Sequence, residues 1–240
     1  EERLMGALGF YNSGNKYSYK GATPLTDALL GIRYIISNEE MWASNLSLCE
    51  QTMNKYVYEN QQNLALGYMV NPTLEQWKIV EGDPFVTQND FVRLATDTQE
   101  ALFTPMTVSE PEVTGGMLTS TGEDKYFYER TADNGTLTWQ LTFTEQQDVY
   151  IYFEASHCEK LKVTIDGETE TYSDKRGHIV HLGQCDAGKV VTLDFPMDNE
   201  YDTGNVKLQM YAFNNNVFES AYTQLADAQL QVTDYDSTHV

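Results

Sequence analysis

The sequence has few basic residues and no long apolar segment. Lysine and arginine number 15 against 36 aspartates and glutamates, so the formal net charge of the 240-residue chain is −21. A field of this sign repels nucleic acids and anionic lipid headgroups, and we therefore predict no nucleic-acid partner. The longest apolar run, residues 64–70, is far shorter than the roughly 20 residues of a membrane span and predicts a buried strand.

Cysteine is scarce as well. The three cysteines include no CxxC pair and are too few for a disulfide scaffold, although Cys158 and Cys185 lie in strand-rich sequence and could pair. The chain begins at Glu1 with nothing that resembles a signal peptide, and we interpret it as an excised piece of a longer protein. Apolar residues make up 41% of the composition, which is enough for a folded core at this length.

The motifs that usually carry catalysis are also missing. The sequence contains no GxGxxG, P-loop, GxSxG or HExxH pattern, so it does not indicate nucleotide binding, serine hydrolysis or zinc proteolysis. Pairs of carboxylates suit glycoside hydrolysis, but a chain with 36 acidic residues contains such pairs by chance. We therefore predict no catalytic residue and no cofactor, and a stand-alone acid–base enzyme is the hypothesis with the least support.

Histidines and cysteines cluster in one part of the chain, which suggests a zinc site. His178 and His181 are three residues apart on a predicted strand, so their side chains point to opposite faces. A site would need convergence across strands, and ordinary positions in a sheet explain these residues better. The cluster comprises His157, Cys158, His178, His181 and Cys185.

A second metal candidate is the loop MDNEYDTGN at residues 197–205. Asp198, Glu200 and Asp202 alternate there, and hard oxygen ligands beside a glycine turn suit calcium. The spacing does not match the helix–loop–helix calcium motif, because the glycine is misplaced and no glutamate follows at the twelfth position. We predict a solvated hairpin loop without a metal, with calcium as the weaker alternative.

The first half of the chain, to about residue 108, mixes helix and strand patterns. A capping residue precedes proline at Thr23-Pro24, Asn71-Pro72 and Asp83-Pro84, which is typical of helix N-termini. We predict a short helix that ends at Gly31 and a second helix over residues 84–95. Strands are predicted at residues 32–37, 55–59 and 64–70.

From about residue 109 the pattern becomes β, with turns such as Asn134-Gly135 and Asp166-Gly167 between short alternating segments. Strands at this spacing without intervening helices predict an antiparallel sandwich. The Gly-rich part of residues 110–124 is a linker or an edge strand, and an amphipathic helix from Val217 to Leu225 precedes a last strand-like piece. The predicted strands are residues 125–131, 136–143, 149–154, 160–166, 168–172, 178–182, 190–195 and 206–213.

The predicted fold class is therefore α+β and mostly β. We divide the chain into a small mixed α/β lobe over residues 1–108 and an antiparallel β-sandwich over residues 109–216. A short helix and the start of a further β segment occupy residues 217–240.

Four phrases in the first half resemble, in order and spacing, the extracytoplasmic part of the YfhO family of large bacterial membrane proteins. They are GATPLTDALLGIRYIIS (21–37), YENQQNLALGYMV (58–70), DPFVTQNDFVRL (83–94) and LFTPM (102–106). Gln61 and Ala65 stand where the family usually has prolines, which leaves the exact shape of that loop open. The sandwich half agrees only in general style. The matching positions are Thr26, Asp27, Leu29, Leu30, Gly31, Tyr34, Tyr58, Glu59, Asn60, Leu64, Leu66, Gly67, Met69, Pro84, Phe85, Gln88 and Asn89.

The resemblance implies a parent protein with a membrane-embedded glycosyltransferase architecture. Relatives are thought to move a sugar from a polyprenyl-phosphate carrier to a cell-envelope polymer such as lipoteichoic acid, on the outer side of the membrane. Their catalytic acid usually lies in a loop between the first membrane helices, so this chain would be an extracytoplasmic domain without activity of its own. Its partners would be the parent's own membrane-embedded helices and a cell-envelope glycopolymer.

The amide-rich phrase at residues 58–70 has two interpretations. In the structural one, a polar turn held by amide side chains returns the chain into the core. In the functional one, Glu59, Asn60 and Gln62 line a cleft and bind acceptor hydroxyls, and Gln88 and Asn89 are further candidates for substrate binding. The alternative function for the whole chain is a secreted carbohydrate-binding or adhesion module, suggested by the aromatic-rich sandwich and the calcium candidate.

Overall fold

The structure, a computed structural model, describes residues 2–13, 16–38, 40–41, 43, 45–158, 160–173 and 177–231. The chain falls into two compact units. The sandwich unit is drawn from Glu1–Gly21, Ile79–Val86 and Phe103–Phe213, and the mixed unit from Ala22–Lys78, Thr87–Leu102 and Asn214–Val240. These units alternate along the chain, whereas the sequence patterns divide it into contiguous parts near residues 108 and 216.

Strands greatly outnumber helices in the described part of the chain. The helices are α1 (Glu2–Ala7), α2 (Pro24–Leu29), α3 (Pro84–Ala95) and α4 (Asn215–Asp227), with a 3-10 helix at Pro72–Gln76. The first strands are β1 (Asn12–Ser13), β2 (Lys16–Tyr17), β3 (Tyr34–Ser37), β4 (Leu46–Thr52) and β5 (Lys55–Asn60). The remaining strands are β6 (Phe103–Pro105), β7 (Glu112–Thr114), β8 (Gly116–Gly122), β9 (Lys125–Arg130), β10 (Thr136–Thr142), β11 (Gln147–Ser156), β12 (Leu161–Ile165), β13 (Glu168–Tyr172), β14 (His178–Cys185), β15 (Val190–Pro196) and β16 (Thr203–Phe213).

Two antiparallel sheets form the core of the sandwich unit. One has the strand order β13-β12-β15-β10-β7, and the other has the order β14-β11-β16-β9-β8 with β6 also paired to β16. Because side chains alternate along a strand, every second residue points between the sheets. Phe195 of β15 contacts Trp139 of β10 and Phe153 of β11 edge to face, with ring centroids 5.4 and 5.8 Å apart. The prediction of a mostly β fold with an antiparallel sandwich is confirmed.

The turn and strand predictions hold for most of this unit. Asp166 and Gly167 both have positive φ, 52° and 86°, which is the backbone of a two-residue hairpin turn between β12 and β13. The Gly-rich segment forms two strands, β7 and β8, each at the end of its sheet, so of its two interpretations the edge strand is right. Strand β6 was not predicted, because three residues carry too little alternation to be recognised.

The mixed unit contains a small sheet of order β3-β5-β4. Thr23 and Thr26 form a reciprocal capping box at the start of α2, and Gly31 follows that helix with φ +63°, as its position predicts. The apolar stripe predicted for residues 217–225 is buried in α4. Asn71-Pro72 starts a 3-10 helix, in which the side chain of Asn71 makes no capping hydrogen bond.

The strand predicted at residues 64–70 is wrong. Only Tyr68 forms an isolated bridge, to Gln229, while Leu66 is fully exposed and Met69 is 68% exposed. The backbone N–H of Leu64 donates to the carbonyl of Ala28 at 3.1 Å, so this segment does not pair continuously with one neighbouring strand. The strand-like piece after α4 is described only as far as residue 231, and its remainder lies outside the described residues.

No helix in the described part of the chain is both long enough and apolar enough to cross a lipid bilayer.

Candidate functional site

The amide-rich turn is organised around Asn60, a predicted site residue that is fully buried. Its Nδ2 donates to the carbonyl of Ile32 at 2.8 Å, and its Oδ1 accepts from Asn45 Nδ2 and from the backbone N–H of Gln62, each at 3.0 Å. Asn63 Nδ2 donates to the carbonyl of Asn60 at 2.8 Å. Amide side chains therefore hold this turn together, and Asn60 has no surface left for a ligand.

Gln88 of α3 is also fully buried. Its Oε1 accepts a hydrogen bond from Thr23 Oγ1 at 2.7 Å, and Thr23 is the residue that caps α2. Substitution of a helix cap by alanine typically costs about 0.5–2 kcal/mol. Gln88 thus supports a cap inside the mixed unit, which is a structural role.

Three predicted site residues keep part of their surface exposed, namely Glu59, Gln62 and Asn89. The Glu59 carboxylate accepts from the Arg33 guanidinium at 3.3 Å and lies 3.5 Å from the Tyr34 hydroxyl. Exposed ion pairs of this kind contribute about 0–1 kcal/mol, and the Glu59 side chain keeps 30% of its surface exposed. Acceptor binding by these three residues stays a prediction.

Two of the three acidic residues in the loop proposed for calcium accept hydrogen bonds from the protein itself. Asp202 lies 3.2 Å from the guanidinium of Arg130, whose side chain is only 13% exposed, and Asp198 Oδ1 accepts from the backbone N–H of Glu200 at 3.0 Å. Within the described residues no group of three acidic, histidine or cysteine side chains is placed to hold a metal ion. The structure thus gives the weak calcium candidate no support beyond its sequence.

The histidine and cysteine cluster is dispersed as the strand geometry requires. His181 Nε2 lies 2.5 Å from Asp148 Oδ1, whereas His178 is buried with its ring edge to face with Tyr11 and Phe153. Cys158 and Cys185 are buried thiols that do not form a disulfide with each other. Burial raises the pKa of Cys185 to about 11, so this thiol is unreactive at neutral pH.

A groove that the sequence did not reveal lies within the sandwich unit. Two cavities of about 480 and 720 Å³ share Lys125, Tyr126 and Lys207, and both volumes fall within the range of ~300–1,000 Å³ of ligand pockets. Cross-strand register places Lys125 of β9, Lys207 of β16 and Glu154 of β11 side by side. We call this region the sheet groove, which also includes Asp83, Pro105, Met106, Val108, Thr121, Glu123, Asp124, Ser156, Asn205, Gln209, Met210 and Tyr211.

Lys207 is the central cation of the sheet groove, and it already contacts two neighbouring groups of the protein. Its Nζ donates to the carbonyl of Gly82 and lies 5.4 Å from the centre of the Tyr152 ring. Burial lowers the pKa of Lys207, and the carboxylates of Asp83 and Glu154 act in the opposite direction. These contacts hold the amine in the wall of the groove.

Burial and neighbouring carboxylates raise the pKa values of two side chains on the acidic side of the sheet groove. Burial raises the pKa of Asp124, and the charge of Glu123 raises it further. Burial, together with Asp83 and Asp124, raises the pKa of Tyr211 to about 12. Both shifts indicate an environment that disfavours additional negative charge.

The alternation of residues along β16 shows which of its side chains face this groove, but not which other residues lie beside them. In β16 the residues Val206, Leu208 and Met210 belong to the core, so Lys207, Gln209 and Tyr211 point to the other face of the sheet. The sequence did not show which strands lie beside β16, and hence could not place Lys125, Glu154 and Asp83 next to these residues. Only the pairing of β16 with β9 and β11 assembles the groove.

Three solved structures resemble part of this chain distantly. The C-terminal CBM6 of LamC, a marine laminarinase from Zobellia galactanivorans, is 8% identical with a TM-score of 0.31, and the match covers 45% of this chain and 99% of that chain. A family 35 carbohydrate-binding module from Clostridium thermocellum is 11% identical with a TM-score of 0.31, over 45% of this chain and 97% of that chain. The insecticidal crystal protein Cry2Aa is 17% identical with a TM-score of 0.31, over 44% of this chain and 20% of that chain. Likenesses at these TM-scores carry no conclusion about function.

No curated protein matches the sequence. The family model described as bacterial membrane protein YfhO matches residues 2–240.

Proposed function

This chain belongs to the YfhO family of bacterial membrane proteins, and on that premise we propose that it is the extracytoplasmic domain of a polytopic membrane protein. The domain assists transfer of a sugar from a polyprenyl-phosphate carrier to a cell-envelope polymer similar to lipoteichoic acid, and it has no catalytic activity of its own. The observation that carries the proposal is the family match over residues 2–240. The parent's own membrane-embedded helices and the envelope glycopolymer are the proposed partners.

The contacts of the motif residues support an architectural role for much of this domain. Asn60 and Gln88 are fully buried and hydrogen-bonded to neighbouring protein groups, not directed towards solvent. Motif residues without catalytic groups therefore have a structural role in the mixed unit. Glu59, Gln62 and Asn89, which are partly exposed, remain the candidates for contact with the acceptor.

Transfer assays with and without the membrane part test the proposal. Membranes that contain the full-length protein should transfer labelled sugar from a polyprenyl-phosphate donor to the envelope polymer. The purified 240-residue chain should neither transfer sugar nor hydrolyse a panel of glycosides. Turnover by the isolated chain that depends on one of its own side chains would refute the proposal.

Point variants in full-length protein then separate acceptor contact from architecture. Glu59→Gln and Gln62→Ala should raise the acceptor KM without unfolding the domain, because both side chains are partly exposed. Gln51→Ala, on the exposed strand β4, is the matched control and should leave the KM unchanged. If Glu59→Gln and Gln62→Ala behave like the control, these residues do not bind the acceptor.

The sequence of the complete gene distinguishes the proposed function from the alternative, a secreted carbohydrate-binding or adhesion module. A gene that encodes membrane spans in the same polypeptide supports the transferase proposal, and a gene that encodes a secreted protein without spans supports the alternative.

A further inference from the structure

The sheet groove contains polar groups that the fold leaves unused. Within the described residues, no hydrogen bond engages the side chains of Thr121, Glu123, Asp124, Lys125 or Asn205. Together they offer hydroxyl, carboxylate, ammonium and amide groups, which are the donors and acceptors that the hydroxyls of a saccharide require. Groups of this kind converging on a cavity are typical of a polar binding site.

Gln209 gives a second, independent indication of a ligand. The residue is 7% exposed and lines the sheet groove, and its Nε2 donates to Asp83 Oδ2 at 3.3 Å. Its Oε1 is buried without a hydrogen-bond partner among the described residues. A buried carbonyl oxygen without a donor is unfavourable, and a hydroxyl that enters beside Gln209 would supply the missing donor.

The charge of the sheet groove selects between classes of ligand. Its lining has more carboxylates than amines, and Lys207 is already bonded to Gly82. The raised pKa of Asp124, caused by burial and then by Glu123, shows that negative charge is already disfavoured there. A phosphodiester brings negative charge and few donors, whereas the hydroxyls of a neutral sugar donate to carboxylates.

The walls of the sheet groove are apolar where they face these polar groups. Pro105, Met106 and Val108, which are not part of β16, line this side. The carbon-bound faces of a sugar ring can pack against such side chains while its hydroxyls reach the carboxylates and amides.

We propose that the sheet groove binds a neutral oligosaccharide and rejects phosphate-bearing polymers. Asp124 and Glu123 accept hydrogen bonds from sugar hydroxyls, Asn205 and Lys125 donate to sugar oxygens, and Met106 packs against the ring. The inference goes beyond the proposed function, because it concerns this chain alone and requires no transfer of sugar.

Methyl NMR of the purified chain tests the inference at the site itself. Met106 lines the groove, whereas Met53 and Met69 are exposed in the mixed unit. The probes are maltotetraose, cellotetraose and chitotetraose, with an oligomer of glycerol phosphate as the anionic comparison. We expect at least one neutral tetrasaccharide to shift the methyl signal of Met106 and not those of Met53 and Met69. The glycerol phosphate oligomer should shift none of the three.

Matched variants test the roles of the carboxylates. Asp124 has φ +57°, a conformation that asparagine tolerates, so Asp124→Asn should fold and should weaken binding of the neutral sugar by about fivefold. Glu170→Gln, on the exposed edge strand β13, is the control and should bind as the wild type does.

Three results would overturn the inference. They are an absence of binding by every neutral probe up to roughly 10 mM, binding of glycerol phosphate at least as tight as that of the sugars, and equal affinities of Asp124→Asn and wild type. None of them bears on whether the full-length protein transfers sugar, so failure of this inference is distinguishable from failure of the proposed function.

Discussion

Replacement of Asn60 by alanine tests the structural role of the amide-rich turn. The substitution removes one donor and one acceptor atom that together serve three partners: the Ile32 carbonyl, the Asn45 amide and the backbone N–H of Gln62. Each buried group left without a partner costs about 1–3 kcal/mol, and some of these groups regain water when the side chain shrinks. We therefore expect Asn60→Ala to lower the free energy of unfolding by about 3–5 kcal/mol.

The isosteric variant Asn60→Asp separates hydrogen bonding from loss of volume. An aspartate still accepts from Asn45 and Gln62, but it places a carboxylate oxygen against the Ile32 carbonyl, where the wild type has a donor. At neutral pH it should therefore lose stability, because a buried charge without a countercharge is costly. Protonation restores a donor, so part of the loss should return as the pH falls below the raised pKa of this carboxyl.

Urea denaturation, followed by circular dichroism and tryptophan fluorescence, measures these differences, and hydrogen exchange of the Gln62 amide reports on the turn directly. Asn54→Ala, at an exposed position between β4 and β5, is the matched control. If the midpoint of Asn60→Ala stays with that of Asn54→Ala, within about 0.5 kcal/mol, then the hydrogen bonds around Asn60 do not stabilise the unit.

Three further predictions concern the sandwich unit and the cysteines. Asp124→Asn should stabilise the fold at pH 7, because the folded-state pKa of Asp124 is raised. Thermal unfolding should show that this gain in stability vanishes as the pH falls towards 3.8, the ordinary pKa of the carboxyl. A gain in stability that persists at pH 3 contradicts this. Cys49 is exposed and should react with a thiol reagent in the native state, whereas buried Cys185, with its pKa raised to about 11, should react only on unfolding; rapid labelling of both refutes it. Gly204→Ala would place a methyl group 2.4 Å from the Ser156 carbonyl oxygen and from the Tyr128 hydroxyl oxygen. It should lower the free energy of unfolding in urea by at least about 2 kcal/mol. Gly122→Ala is the control, because its added carbon would meet only a side-chain atom at 3.9 Å.

Local signals in the sequence predicted those elements whose cause is local. Thr23-Pro24 fixes the start of α2 through a cap and a preset φ, and Asp166-Gly167 fixes a hairpin because both residues accept positive φ. Most sandwich strands follow from alternation, since their inner residues are buried and their outer ones are not. The role of Asn60 in a polar turn follows equally from the amide-rich composition of its surroundings.

Predictions failed where distant partners decide the conformation. Residues 64–70 have a strand-like pattern, yet Leu64 bonds to Ala28 and Met69 to Ala228, so their backbone groups have partners in separate elements. Partners distant in the chain also decide which residues of the candidate site are accessible. Composition indicated that amides in the second phrase could bind acceptors, but whether Asn60 faces solvent or the interior depends on Ile32 and Asn45, which come from elsewhere in the chain.

By itself the sequence determined the acidic charge, the β-rich class of the fold, the main caps and turns, and the family resemblance, because each depends on composition or on residues near one another in the chain. The tertiary structure decided which polar residues are buried and which line the sheet groove. Lys125, Glu154 and Lys207 become neighbours only through the pairing of β9, β16 and β11, and Asp83 reaches Gln209 from 126 residues away. Pairing between strands depends on the packing of the whole core, and no local pattern encodes it.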